Sequence, residues 1–163
     1  MFERFGEFDS ADEINATAEG LLKEGDTESL YILAEENGLD REEAEDYING
    51  DVTELTNALM AAYGKLDIEN AELKLKEIME DWLTYIRVEC SENPKMAAAV
   101  RRKGKSLKGC IGAMMAWSFK HQIPIEKEII KEAGVNAGRV TMGIPGNGTA
   151  KKIIQEYYLG KQG

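Results

Sequence analysis

The sequence predicts an all-α fold, a compact multi-helix bundle, and three observations carry that prediction. Apolar residues recur at three- and four-residue spacing over most of the chain, the period of helices that bury one face. Helix-starting residues stand ahead of these runs and glycines stand behind them. No alternating strand pattern occurs outside GRVTMGIPGNG, near residues 139–149, where a glycine-rich loop or a small hairpin is expected. With 163 residues, the chain can bury a core without disulfide or metal staples.

The elements follow in order. SADE, Ser10 to Glu13, has the form of a capping box, and Ile14, Ala18, Leu21 and Leu22 then recur on one helical face until Gly25. A second helix starts near Asp26 or Thr27, turns Leu30, Leu33 and Ala34 inward and stops at Gly38. Asp40 caps a third, with Ala44, Tyr47 and Ile48 inward and Gly50 behind it. A fourth is predicted from about Thr53 through Leu55, Ala58, Leu59 and Ala62 to Gly64. Leu75, Ile78, Met79, Trp82, Leu83, Ile86 and Cys90 form the longest apolar stripe, read as the central helix of the core. Asn93 and Pro94 restart the chain, because proline fits the first helical turn, and that helix breaks at Gly104. Ser106 caps a helix with Leu107, Cys110, Ile111, Met114 and Trp117 on one side. Beyond Pro124, EKEIIKEAG gives a short helix and TAKKIIQEYYL a terminal one.

Charge is divided along the chain. Residues 1–80 hold 23 acidic and 6 basic residues, whereas residues 81–163 hold 7 acidic and 14 basic ones. A field with two poles is expected from such asymmetry. Cys90 and Cys110 each fall on the apolar side of a helical pattern, as reduced, buried thiols of a cytoplasmic protein do. Neither a signal peptide nor a membrane span is read in the sequence.

LAEENGLDREEAEDYING, Leu33 to Gly50, has the spacing of a helix-turn-helix. Ala34 permits close approach, Gly38 turns the chain, and Leu39 and Ala44 fill the angle. A DNA reader needs cations on the second helix, and here that helix begins Arg41, Glu42, Glu43, Ala44, Glu45, Asp46. It reads as a helical corner, or else as an acidic surface in which Glu35, Glu36, Asp40, Glu42, Glu43, Glu45, Asp46 and Asp51 face a protein built to hold nucleic acid. In VRRKGKSLKGC, Arg101, Arg102, Lys103, Lys105 and Lys108 surround a glycine break beside a helix N-terminus, a pattern for a phosphate backbone or an acidic protein surface. A solvated helix end balancing the acidic half is the alternative reading.

MGIPGNGTAKK has Gly143 and Gly148 at phosphate-loop separation, but Thr149 stands where the lysine must be and Lys151 is displaced. Nucleotide hydrolysis therefore lacks its main supports. His121 is the single histidine and no Cys-x-x-Cys occurs, so no metal or other cofactor is expected. No catalytic constellation stands out, and an enzyme is not expected.

The runs EIMEDWLTYIRVECSENPKMAAAV, KGKSLKGCIGAMMAWSFK and KKIIQEYYLG resemble the PcfK-like family of conjugative elements and phages. A long helix precedes a Lys-Ser-apolar-x-x-Cys segment, here Lys105, Ser106, Leu107 and Cys110, and the chain ends in an aromatic-rich helix with Tyr157 and Tyr158. The resemblance spans about residues 75–160 and leaves out the acidic N-terminal module and the GIPGNG segment. It implies a small accessory protein of mobile DNA, in a family that includes anti-CRISPR inhibitors of type II RNA-guided nucleases. The organisation expected is an acidic helical module, residues 1–64, followed by a PcfK-like helical domain with the basic segment, residues 65–163. The expected role is a non-enzymatic anti-CRISPR protein in the host bacterial cytoplasm, binding a CRISPR-associated nuclease or its guide RNA complex. A nucleic-acid-binding accessory protein using the basic half is the alternative. A homodimer joining opposite poles is a further expectation, and no membrane partner is.

Overall fold

A computed structural model describes residues 3–161. Met1, Phe2, Gln162 and Gly163, the outer ends of the two expected modules, lie outside them. The described residues form nine helices and one two-residue ladder, an all-α bundle.

The first three helices end where local chemistry requires. α1 spans Ala11–Glu24, and the Ser10 hydroxyl accepts the Glu13 N–H at 3.2 Å. The Glu13 carboxylate reaches one residue further back than a capping box requires, accepting the Asp9 N–H at 2.7 Å. Gly25 closes the helix in the left-handed region. α2, Thr27–Glu36, is capped by Asp26, which accepts from Ser29 N–H, and α3, Arg41–Asn49, starts at Asp40 and ends at Gly50. Ile14, Ala18, Leu30, Leu33, Ala34, Leu39, Ala44 and Tyr47 from these elements bury together in one apolar cluster, with Leu55 and Ala61.

The fourth helix corrects the sequence reading. α4 spans Ala58–Leu73, so it neither begins near Thr53 nor stops at Gly64. Asn57 is its cap, accepting the Met60 N–H at 2.9 Å, and residues 51–56 bend without helix. Gly64 lies in the helix interior because the α2–α3 turn crosses there with no room for a side chain. The module boundary drawn after residue 64 thus falls inside a continuous helix. α4 lends Ala61 to the first cluster, while Ala62 and Leu66 enter a second.

That second cluster gathers Trp82, Leu83, Ile86 and Cys90 of α5, Ile78–Glu92, with Met96, Ala97, Ala99 and Val100 of α6, Pro94–Arg101. α7, Leu107–Lys120, adds Leu107, Cys110, Ile111 and Met114, and α9, Asn147–Leu159, adds Ala150, Ile154 and Tyr158. α5 was read as the central helix, but α6 is the element enclosed by α4, α5 and α9, and five of its eight residues are buried. The small side chains of MAAAV permit that enclosure.

The glycine-rich segment forms no hairpin of its own. β1, Ile123–Pro124, pairs antiparallel with β2, Thr141–Met142, so the ladder closes across α8, Lys127–Glu132. Gly143 sits against the end of α7, where an added Cβ would stand 2.5 Å from the Ser118 carbonyl oxygen. Cys90 and Cys110 are free and buried.

Candidate functional site: two charged surfaces and the seam between them

Residues 3–57, the lobe around the first cluster, carry 18 acidic and 3 basic residues. The eight acidic candidates do different work within it. Glu36 accepts the N–H groups of Arg4 and Phe5 at 2.6 and 3.1 Å, tying down the N-terminal segment. Glu43 accepts the Asp40 N–H at 2.7 Å, which fixes the start of α3. Glu45 pairs with Arg41 at 3.1 Å along the same helix, and the Arg41 guanidinium lies 4.2 Å from the Tyr31 ring centroid. Glu35, Glu42, Asp46 and Asp51 make no side-chain hydrogen bond or ion pair among the described residues. Glu35, Glu42 and Asp51 are exposed and Asp46 is half-buried. Asp46 and Glu43 line a shallow depression with Glu54 and Asn57.

The five basic candidates also divide. Arg101 is 1% exposed, its guanidinium donating to Asn37 Oδ1 at 2.9 Å, so it belongs to the interior and not to a basic surface. Helical spacing accounts for this: Arg101 lies four residues after Ala97 and beside Val100, both buried. Lys105 is drawn onto Tyr157, donating to its carbonyl at 2.7 Å with the ammonium 4.8 Å from the ring centroid. Arg102, Lys103 and Lys108 face solvent.

Between the two surfaces lies an ionic seam that sequence reasoning passed over. Lys65, 2% exposed, donates to the Arg102 and Lys105 carbonyls at 2.9 and 2.6 Å and pairs with Glu7 at 3.1 Å. One turn on, Glu69 accepts the Leu107 N–H at 2.5 Å and so caps α7 from another helix. Asp9 accepts the Lys103 N–H at 3.0 Å. The α6–α7 turn is therefore gripped by α4 on one side and by the N-terminal segment on the other. Burial pushes the Glu69 carboxyl above the usual carboxylate range and holds the Lys65 ammonium below its usual one. The signal in the sequence was the i, i+4 pair Lys65 and Glu69, visible only once α4 continues through Gly64.

Burial also raises both thiols, Cys90 and Cys110, to about 12. His121 ends α7, stacked on Trp117 with ring centroids 4.2 Å apart. Among the described residues, no three histidine, cysteine or acidic side chains converge as metal ligands would. No helix there is long and apolar enough to cross a membrane. No protein-family model, no curated protein and no solved structure matches this chain.

Proposed function

We propose that this chain is a non-enzymatic inhibitor that binds a nucleic-acid-handling protein through its acidic lobe. The observation that supports this reading is the charge of that lobe, together with the four carboxylates at Glu35, Glu42, Asp46 and Asp51 that make no side-chain hydrogen bond or ion pair among the described residues. A type II RNA-guided nuclease is the partner suggested by the resemblance to PcfK-like proteins. Such a nuclease holds its heteroduplex in a positively charged channel, where an acidic helical face competes with polynucleotide. The setting is the cytoplasm of the bacterial host. Binding alone suffices for the effect.

The test is in vitro cleavage of target DNA with increasing amounts of the protein. Inhibition near equimolar ratio is expected, and replacing Glu35, Glu42, Asp46 and Asp51 by lysine should weaken it at least about tenfold while helicity is kept. Unaltered cleavage at every ratio, or full potency in the folded variant, would sink the reading.

The alternative, an accessory protein holding nucleic acid through its basic half, draws on residues 93–125, which contain seven cations and no carboxylate. Only Arg102, Lys103 and Lys108 of the predicted basic set remain for phosphates. Mobility shifts over a salt series separate the two: direct DNA affinity falling steeply with salt favours the alternative.

A further inference from the structure

α7 is apolar on both sides. Its inner face, Leu107, Cys110, Ile111 and Met114, fills the second cluster. Its outer face, Gly112, Met115, Ala116 and Phe119, repeats at three- and four-residue spacing and is exposed throughout, Phe119 to 75% and Met115 to 45%. From Gly109 to Phe119 there is no charged residue. A helix apolar all round is ordinarily covered all round. Beyond its end, Ile123 and Met142 are cross-strand partners that are 62% and 55% exposed.

Gly112 adds an independent observation. A Cβ built there meets nothing within 4 Å, so nothing among the described residues requires a glycine at a mid-helix position where alanine is the better helix former. Gly109, one turn earlier in register, is different, because the Tyr157 hydroxyl presses against it at 2.2 Å from an added Cβ. With Ala116, Gly112 leaves a shallow notch into which a second helix can settle.

Charge decides what that helix is. Lys108 and Lys120 bracket the face, and no acidic residue occurs between Glu92 and Glu126. A second copy would set lysines against lysines if α7 met α7, and the acidic lobe of a second copy offers only Val52 among its large exposed apolar residues. An anionic membrane would meet the net charge of −10. We infer that the outer face of α7 is a docking surface for an amphipathic helix of a partner protein, seated in the Gly112–Ala116 notch against Phe119, with carboxylates flanking its apolar side to meet Lys108 and Lys120.

The probe is a synthetic amphipathic peptide of about five turns, leucine and phenylalanine on one face and glutamate on both flanks, read by fluorescence anisotropy against the whole protein. Saturable binding is expected, at least about tenfold weaker for the same peptide with lysine flanks. Gly112→Leu, which has open space and keeps the helix, should abolish binding, with circular dichroism unchanged. Lys108→Glu with Lys120→Glu should reverse the preference between the two peptides. Absence of binding, or equal affinity for both peptides, overturns the inference. So does binding to phosphatidylglycerol vesicles, or concentration-dependent self-association, that Gly112→Leu removes while the peptide stays unbound. None of these outcomes bears on nuclease inhibition, which is read with α7 untouched.

Discussion

Gly38 and Gly64 meet backbone to backbone: a Cβ on Gly64 would stand 2.1 Å from the Asn37 carbonyl oxygen, and one on Gly38 would stand 2.2 Å from that of Gly64. Gly38 also holds φ at +68°, where a side chain is strained on its own account. The crossing joins the acidic corner to the helix that both cores share. Gly64→Ala should cost about 3 kcal/mol in urea unfolding, and Gly38→Ala more. Gly112→Ala provides the contrast, an expected gain of about 0.5–1 kcal/mol. A mild effect at Gly64 would mean that α4 and the turn separate easily.

Arg101 predicts a loss of stability and not of ligand affinity. Its guanidinium reaches Asn37 across 64 residues; burial holds it below its usual value, and the carboxylates of Glu7, Glu69, Glu13 and Asp9 offset part of that cost. Arg101→Ala leaves Lys65 as the one buried cation among these carboxylates in the described residues and leaves Asn37 Oδ1 without its donor, at a cost of about 3 kcal/mol or more. Lys103→Ala, at an exposed position two residues later, should leave the thermal midpoint nearly unchanged.

Glu69 predicts a pH dependence with a definite sign. Its folded value is raised above 4.5, chiefly by burial, so the ionised form is disfavoured in the folded state. The stability this group contributes is therefore complete below about pH 4.5 and is lost as pH rises through the folded value. Glu69→Gln keeps an acceptor for the Leu107 N–H and removes that loss. Thermal midpoints across pH should show the variant ahead of wild type at pH ~7 and level with it near pH ~4. A variant less stable at neutral pH would show that the Glu69 charge is worth more to Lys65 than its burial costs.

The two thiols should be inert in the folded protein. With values near 12, about one thiol in ten thousand is ionised at pH ~8, and both sulfurs are enclosed. Reaction with a thiol-specific disulfide reagent should be at least about a thousandfold slower than in urea. Rapid labelling of either cysteine under native conditions would contradict the packing of α5 against α6 and of α7 against α9.

Local chemistry made much of the fold legible. Ser10, Asp26, Asp40 and Ser106 start helices where the sequence places them, because a cap is a short-range interaction between one side chain and amides a turn away, and Pro94 opens α6 because its ring suits a first turn that needs no amide from it. What escaped was long-range. Gly64 looked like a helix end because its true reason, a crossing backbone from Gly38, lies 26 residues away. β1 and β2 were unreadable as a pair because two residues per strand leave no alternation to detect. At the candidate surfaces, runs of like charge concealed a division of labour. Arg101 turns inward, Glu36 and Glu43 hold backbone, and only the fold separates these from Glu42 or Lys103.

The double membership of α4 governs how this molecule can be dissected. Ala61 and its neighbour Ala62 face different apolar clusters, so any cut of the gene near codon 64 severs one continuous rod and strips a wall from each interior. Fragments made that way would inherit two incomplete foundations.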